Sequence, residues 1–418
     1  MTAGALTAGS PSSPARRAAL TLFLIGLAAW TLSNLDQSLF GYALPGLLGE
    51  FQRGPETAGI ILSLSFVAAA VAVVPAGLAA DRYGPHLILP MLLGLSALFV
   101  GLMGFATSIA MVTLLRVFGF SFGAALSPVI NAMVLTAAPA RLRGMAMGAL
   151  QCGYPLGWLL ASLMVAPLLA SSGWRAACFA AFIVPPMALV VWLFLRRVPD
   201  SQPVAAASRT ATEASASGGL RALLGPKHRL HFWASFVVFF LFGGAYAGSA
   251  FFFPTFFTTE RGYSQADAAT LVGLSNGVAV IGYLLAAALG EYVFTRRNVF
   301  TLWCLLGAAA LLALLWVSHG RTSDFAWFAV MAMFFYGAMA VLPVLVAEVF
   351  PIELRATALG ACASAPLSLG FALFPLIVPF VVAKAGWAWA FSAVVTPALV
   401  GAALVALLLP SLRSSEVH

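Results

Sequence analysis

Two charged side chains lie where charge is costly. Asp36, in the stretch NLDQSLFGYALP at residues 34–45, and Arg116, in VTLLRVFGF at 112–120, each sit inside a long apolar run. An ionisable group at the centre of a membrane span costs at least about 2.5–3.5 kcal/mol, so by default it marks a task. A buried acid can trade its charge for a proton, and a guanidinium offers a planar fork of donors that fits the two oxygens of a carboxylate. The chemistry open to these residues is proton carriage and anion binding. Gln151, Tyr154 and Trp158 fall at i, i+3 and i+7, a polar and aromatic stripe suited to a ring or hydroxyls; Asn276 and Tyr283 do the same further on, and Tyr246 and Tyr336 also lie in apolar runs. Asn131 is expected to make an interhelical hydrogen bond. GFSFG at 119–123 matches the Gly-x-Ser-x-Gly pattern of hydrolases, but it falls within a helical run with no histidine at its depth. The chain is not expected to be an enzyme.

These residues need a membrane to position them. Of the 418 residues, 62% are hydrophobic and 8% charged, against about 25% charged in a soluble domain. Spans of about 20 apolar residues fit twelve times: 19–46, 57–80, 86–105, 108–136, 145–170, 174–196, 231–259, 266–292, 298–318, 325–349, 356–383 and 387–410. Lys and Arg collect on the cytoplasmic side of such proteins. With the N-terminus inside, the inner segments hold 15 of the 21 cations, including Arg16, Arg17, Arg82, Arg141, Arg143, Arg209, Arg355 and Arg413; the outer segments hold 5, and Arg116 is the remaining one. The net charge of +8 therefore reflects topology and an anionic leaflet, not nucleic acid. Asp36 lies ten residues from the outer end of span 1, roughly 15 Å deep, and Arg116 eight residues from that of span 4, roughly 12 Å deep, at 1.5 Å per residue. The four cysteines fall within spans at no metal-ligand spacing, and neither a metal nor a cofactor is expected.

The chain repeats itself. TAAPARLRGMAMGA (136–149) and EVFPIELRATALGA (348–361) match Pro139 to Pro351, Arg143 to Arg355 and Gly148 to Gly360; Pro167 and Pro379 continue the register, and Gly173–Trp174 recurs as Gly386–Trp387. A Ser- and Ala-rich stretch, SQPVAAASRTATEASASGG, separates the halves. The expected layout is a cytoplasmic tail at 1–18, a six-helix bundle at 19–197, a cytoplasmic linker at 198–230, a second six-helix bundle at 231–410 and a cytoplasmic tail at 411–418. Parallel six-helix repeats joined by a linker are a transporter architecture, with the site near the midplane where they meet. Four Gly-x-x-x-Gly pairs, 119/123, 153/157, 244/248 and 273/277, offer faces for close helix approach.

The loop GLAADRYGPH carries Gly77, Asp81, Arg82 and Gly84 in the spacing Gly-x-x-x-Asp-Arg-x-Gly. With the span count, the linker and the repeat, it resembles the hallmark loop of the major facilitator superfamily, whose all-α fold has twelve transmembrane helices in two pseudo-symmetric bundles. Pro85 and His86 stand where that pattern has two basic residues. The resemblance implies that Asp81 braces an inner gate against the start of span 11 near Arg355, with Arg143 and Glu348 in the neighbouring turns. It also implies that spans 1 and 4 face a central cavity, where Asp36 and Arg116 can pair in the empty carrier.

An aspartate in span 1 and an arginine in span 4 resemble the anion and aromatic-acid proton symporters of that superfamily; many of those carry a second charged residue in span 1 or 4, which this chain lacks, the position seven after Arg116 being Gly123. Proton-coupled uptake of a small organic anion is therefore expected, with Asp36 carrying the proton and Arg116 the anion. The alternatives are a drug or metabolite exporter, on the loose likeness of CGYPLGW to an antiporter element, and a neutral sugar or polyol carrier, on AEVFPIELR. A monomer in the bacterial cytoplasmic membrane is expected, with both termini inside.

Overall fold

In the computed structural model, residues 13–139, 142–197 and 219–411 are described. Of the expected tails and linker, residues 1–12, 198–218 and 412–418 lie outside that range, as do Arg141, Arg209 and Arg413. The described residues form helices without strands. A lipid core offers the backbone no hydrogen-bond partners, so a spanning segment this apolar must satisfy every amide within itself, which a helix does.

The first half comprises α1 (Ser13–Glu50), α2 (Pro55–Tyr83), α3 (Pro85–Leu102), α4 (Ile109–Ala137), α5 (Arg143–Gln151), α6 (Gly153–Phe179) and α7 (Val184–Leu195). The second comprises α8 (Arg229–Ala247), α9 (Phe253–Thr259), α10 (Gln265–Tyr292), α11 (Arg296–Trp316), α12 (Arg321–Phe335), α13 (Leu342–Val349), α14 (Ile352–Ala358), α15 (Ala365–Ala390) and α16 (Thr396–Ala406). Helix α1 starts inside the expected tail. The end of the expected linker is ordered too: residues 219–223 are helical and Leu223 is fully buried.

Among the described residues, ten stretches are long and apolar enough to cross a membrane, and two of them double back. Gly173 and Gly386 take φ of 73° and 82°, a backbone state in which only glycine is free of strain. After the first turn the chain runs back along α3, with Gly101 against Phe182 and Gly94 facing Ala188. After the second it runs back along α11, where Thr301 bonds the Ala403 carbonyl and Trp316 bonds Ser392. The repeated Gly-Trp thus marks the same turn in each half, and the crossings number twelve.

Several crossings are broken. Span 7, expected continuous over 231–259, is interrupted between Ala247 and Phe253, and span 10 tightens into a 3-10 turn at Tyr336–Ala340. Such turns are common hinge points. All four glycine pairs seat helices as expected: Gly119 and Gly123 abut Ser96 of α3, Gly153 and Gly157 abut Trp30, Thr31 and Asn34 of α1, Gly244 and Gly248 abut Phe374, and Gly273 and Gly277 abut Ser162 and Leu159 of the other half.

We call the end of the bundle where α1 begins proximal and the opposite end distal. Distally the halves meet closely: a Cβ at Gly59 would lie 2.1 Å from the Pro375 carbonyl oxygen, and Phe66 packs on Phe371 with ring centroids 5.0 Å apart. Proximally the packing is open: a Cβ added at Gly77 of α2, or at Gly360 just before α15, would meet nothing within 4 Å.

Candidate functional site

Helices α1 and α4 run antiparallel, and Ser33 and Gln37, one turn apart on α1, both address α4. Ser33 Oγ donates to the Gly123 carbonyl (3.3 Å), and one turn on Gln37 Nε2 donates to the Gly119 carbonyl (3.3 Å) and to Ser96 Oγ of α3 (2.8 Å). Gln37 Oε1 accepts from Arg116 Nη1 at 2.9 Å. Arg116 is fully buried, and its guanidinium carbon lies 4.5 Å from the Phe40 ring centroid, 4.7 Å from that of Phe120 and 5.6 Å from that of Phe251. Aromatic faces attract a cation by their quadrupole, by about 0.5–2 kcal/mol each. The Nε and Nη2 atoms of Arg116 have no hydrogen-bond partner.

Asp36 is fully buried and neither of its carboxylate oxygens has a partner. The direct ion pair with Arg116 expected from sequence is not formed: the two charges lie within electrostatic reach of each other, but the arginine bonds Gln37. The reason is helical geometry. Successive residues are turned by 100°, and here Gln37 takes the place against Arg116 while Asp36, beside it on the helix, lies near the Ser96 hydroxyl of α3. Gly123 serves the same arrangement, since a Cβ there would lie 2.1 Å from Gln37 Nε2.

The aromatic candidates gather where the halves meet. Tyr154 and Trp158 of α6 face Tyr246 of α8 and Phe251 of the break after α8, with centroids 5.3 Å apart for Tyr154–Tyr246 and 5.5 Å for Trp158–Phe251. Tyr246 also packs on Tyr336 (5.2 Å) and Phe371 (6.1 Å), and Tyr42 donates to the Trp158 carbonyl (2.9 Å). The Tyr154 hydroxyl is buried without a partner. Gln151 is half-buried one turn before Tyr154 and Tyr283 is buried on α10. Asn276 donates to its own helix at the Val272 carbonyl and leaves Oδ1 free. Asn131 likewise bonds Ser127 of its own helix, not a neighbouring one.

The contact expected between Asp81 and the start of span 11 is not made. Asp81 and Arg82 are exposed; among the described residues Asp81 makes no hydrogen bond or ion pair, and Arg355 keeps an unpartnered Nε. The brace between Asp81 and the start of span 11 is thus not formed in this conformation. Gly84, with φ of 86°, makes the α2–α3 turn. Arg143 is exposed and donates to the Ala138 carbonyl. Glu348 pairs with Arg296, which also pairs with Glu291 and lies against Gly144 of α5. Sequence reasoning missed Gln37, Ser96 and Phe251. Gln37 had one usable signal, an amide beside a buried acid in the middle of a span; Phe251, inside AFFFP, had none.

Twelve crossings in two like halves, with charged and aromatic groups buried at the centre, define a multi-pass membrane transporter, not an enzyme. The chain belongs to the Major Facilitator Superfamily, whose sequence model matches residues 19–361. It is similar to the cis,cis-muconate transport protein of Acinetobacter baylyi, with 26% identity covering 84% of this chain and 86% of the relative. It is also similar to the 3-(3-hydroxy-phenyl)propionate transporter of Escherichia coli, with 29% identity covering 97% of each. Among solved structures, a bacterial homolog of the human lysosomal transporter Spinster, inward-facing and unoccupied, superposes with a TM-score of 0.65 at 16% identity, over 95% of this chain and 96% of that one; at that identity the likeness speaks to fold alone.

Proposed function

We propose that this transporter takes up a small organic carboxylate together with a proton, by alternating access. One observation carries the reading: the Nε–Nη2 edge of Arg116 and both oxygens of Asp36 are buried without partners in the same bundle. A buried charge without hydrogen bonds is costly, so a site left this way is built to be completed. A carboxylate on Arg116 completes the fork. With Asp36 ionised, the three groups then sum to one negative charge in a low-dielectric interior; a proton on Asp36 brings the sum to zero. Anion and proton therefore enter together, through the shared cost of net buried charge and without direct exchange of an ion pair. For a monoanion each unit of pH gradient supplies about 1.36 kcal/mol.

Tyr154, Trp158, Tyr246 and Tyr336 line the space for the body of the cargo, with Gln151, Asn276 and Tyr283 as further polar contacts. Asp81, Arg82, Arg143, Glu348 and Arg355, with Gly77 and Gly84, form the proximal gate that closes when α2 and α15 converge. The cation distribution supports a cytoplasmic proximal side, cytoplasmic termini and a bacterial inner-membrane location; the chain acts as a monomer. The cargoes for which relatives are named support an acid: muconate, hydroxyphenylpropionate, niacin and 4-hydroxybenzoate. A neutral sugar would leave the free edge of Arg116 without a purpose.

The test is uptake by proteoliposomes of the purified chain under an inward proton gradient. The panel is cis,cis-muconate, 3-(3-hydroxyphenyl)propionate, nicotinate and 4-hydroxybenzoate, beside a hexose and a cationic drug. Accumulation of an acid that a protonophore abolishes is expected. Gradient-driven expulsion, or transport of the hexose or drug alone, overturns the reading.

A further inference from the structure

We propose that Gln37 is the positioning residue that makes Arg116 selective for carboxylates: it holds one corner of the guanidinium with a neutral oxygen and so turns the opposite edge to the cargo. This rests on the reading of Arg116 as the anion receptor and adds what decides its specificity.

The amide of Gln37 has one usable orientation. Nε2 is engaged by Ser96 Oγ at 2.8 Å and the Gly119 carbonyl at 3.3 Å, and Oε1 faces Arg116 Nη1 at 2.9 Å. Flipping it would set NH2 against a guanidinium and an oxygen against a carbonyl, replacing attraction by repulsion at both ends. The Gln37 backbone carbonyl takes a longer bond from the same Nη1, at 3.4 Å. Ser96 is itself held, donating to the Gly119 carbonyl at 2.9 Å, and glycine at position 123 leaves the amide its room. Three helices therefore fix one side chain, whose only free role is to accept from Arg116.

The consequence is electrostatic. A carboxylate at position 37 would neutralise the arginine internally and compete with cargo. An apolar side chain would leave Nη1 only its longer bond to the backbone carbonyl of residue 37 and so loosen the guanidinium. A neutral acceptor holds the group and leaves its full charge for an incoming anion. Nη1 is occupied while Nε and Nη2 stay bare, and that edge presents two parallel donors to the two oxygens of one carboxylate. The titratable groups near the guanidinium are Asp36 and Cys178, so an acid introduced at position 37 would add a new titration.

The test measures KM against pH for whichever of the four acids the wild-type chain accumulates best, in proteoliposomes of wild type, Gln37→Glu, Gln37→Met and the milder Ser96→Ala. For Gln37→Glu, KM should rise roughly tenfold or more at neutral pH, since a resident carboxylate competes for the same guanidinium, and should recover as acid protonates it. Gln37→Met should raise KM without any new pH dependence, and Ser96→Ala should do so by less. If Gln37→Glu or Gln37→Met is not recovered as a folded monomer, Ser96→Ala decides: a KM equal to wild type overturns the proposal. A folded Gln37→Glu with wild-type KM and pH profile overturns it as well, while the reading of Arg116 stands. If wild type accumulates none of the four acids, the underlying reading falls first, and this proposal with it.

Discussion

The ring of Phe251, carried by the break between α8 and α9, lies 5.6 Å from the guanidinium carbon of Arg116. A side chain of the second half thus closes over the buried cation of the first. Phe251 also contacts Phe66, Phe120 and Trp158, so its ring fills the junction of α2, α4 and α6. Because the break frees Phe251 from the regular α8 helix, its ring can withdraw without the whole helix moving. Replacement by Leu keeps most of the apolar volume and removes the π face, at a loss of about 0.5–2 kcal/mol. Phe251→Leu should move the population towards a distally open form. Spin labels at the exposed positions Gln52 and Lys384 would report this by double electron–electron resonance as a longer-distance component; an unchanged distribution would remove Phe251 from the gate.

Asp36 is the buried acid of α1, and its second-half counterpart, by alignment of Pro45 with Pro254, is Ala245. The asymmetry fits a task over a scaffold. Asp36→Asn should abolish uphill accumulation under a proton gradient while cargo exchange without a gradient persists, because the amide is a permanent mimic of the protonated acid. Retained uphill uptake would exclude Asp36 as the proton carrier.

Arg116→Lys keeps the charge and loses the fork. A lysine ammonium cannot hold Gln37 and grip a carboxylate with two parallel donors at once. Loss of one charge-assisted bond, about 1.5–3 kcal/mol, should raise the Kd for cargo by roughly tenfold to a hundredfold. Competition binding in detergent measures it, and affinity equal to wild type would argue against a forked contact.

Away from the site, Tyr263 in the loop before α10 donates to Asp324 Oδ2 at 2.5 Å, and Asp324 is nearly fully buried and also held by Ser318. Burial first, and then the Asp324 hydrogen bond, push the Tyr263 hydroxyl up to about 12 from the ordinary 10. The neutral phenol is the form the fold prefers. Its stabilisation is complete below pH 10 and is lost as pH rises towards 12. Melting temperature should therefore fall over that window, and Tyr263→Phe should start lower and show a shallower alkaline fall. Parallel curves for the two proteins would rule out the phenol as the source.

Much of this was legible in the chain itself. Twelve apolar runs, the repeated Pro and Arg positions and the doubled Gly-Trp all survive as one-dimensional signals, and the structure returns them as crossings and matched turns. The buried charges were legible for the same reason, since Asp36 and Arg116 stand out against apolar neighbours. Their pairing was not. A rotation of 100° between adjacent residues decides whether Asp36 or Gln37 meets α4, and span length carries no information about rotation. The breaks in spans 7 and 10 escaped for a related cause: AFFFP and FFYGAMA are as apolar as the helices around them.

By itself, then, the sequence determined that this chain lives in a bilayer, that it is built as two like halves, and that it hides one acid and one guanidinium at similar depth. Solvation decides those properties, residue by residue. Only the tertiary structure decided that Gln37 holds Arg116, that Phe251 reaches across to cover it, and that the halves touch distally while Asp81 stands free. Those facts depend on how helices rotate and lean against one another, and such contacts join residues distant in the chain through packing that no local pattern encodes.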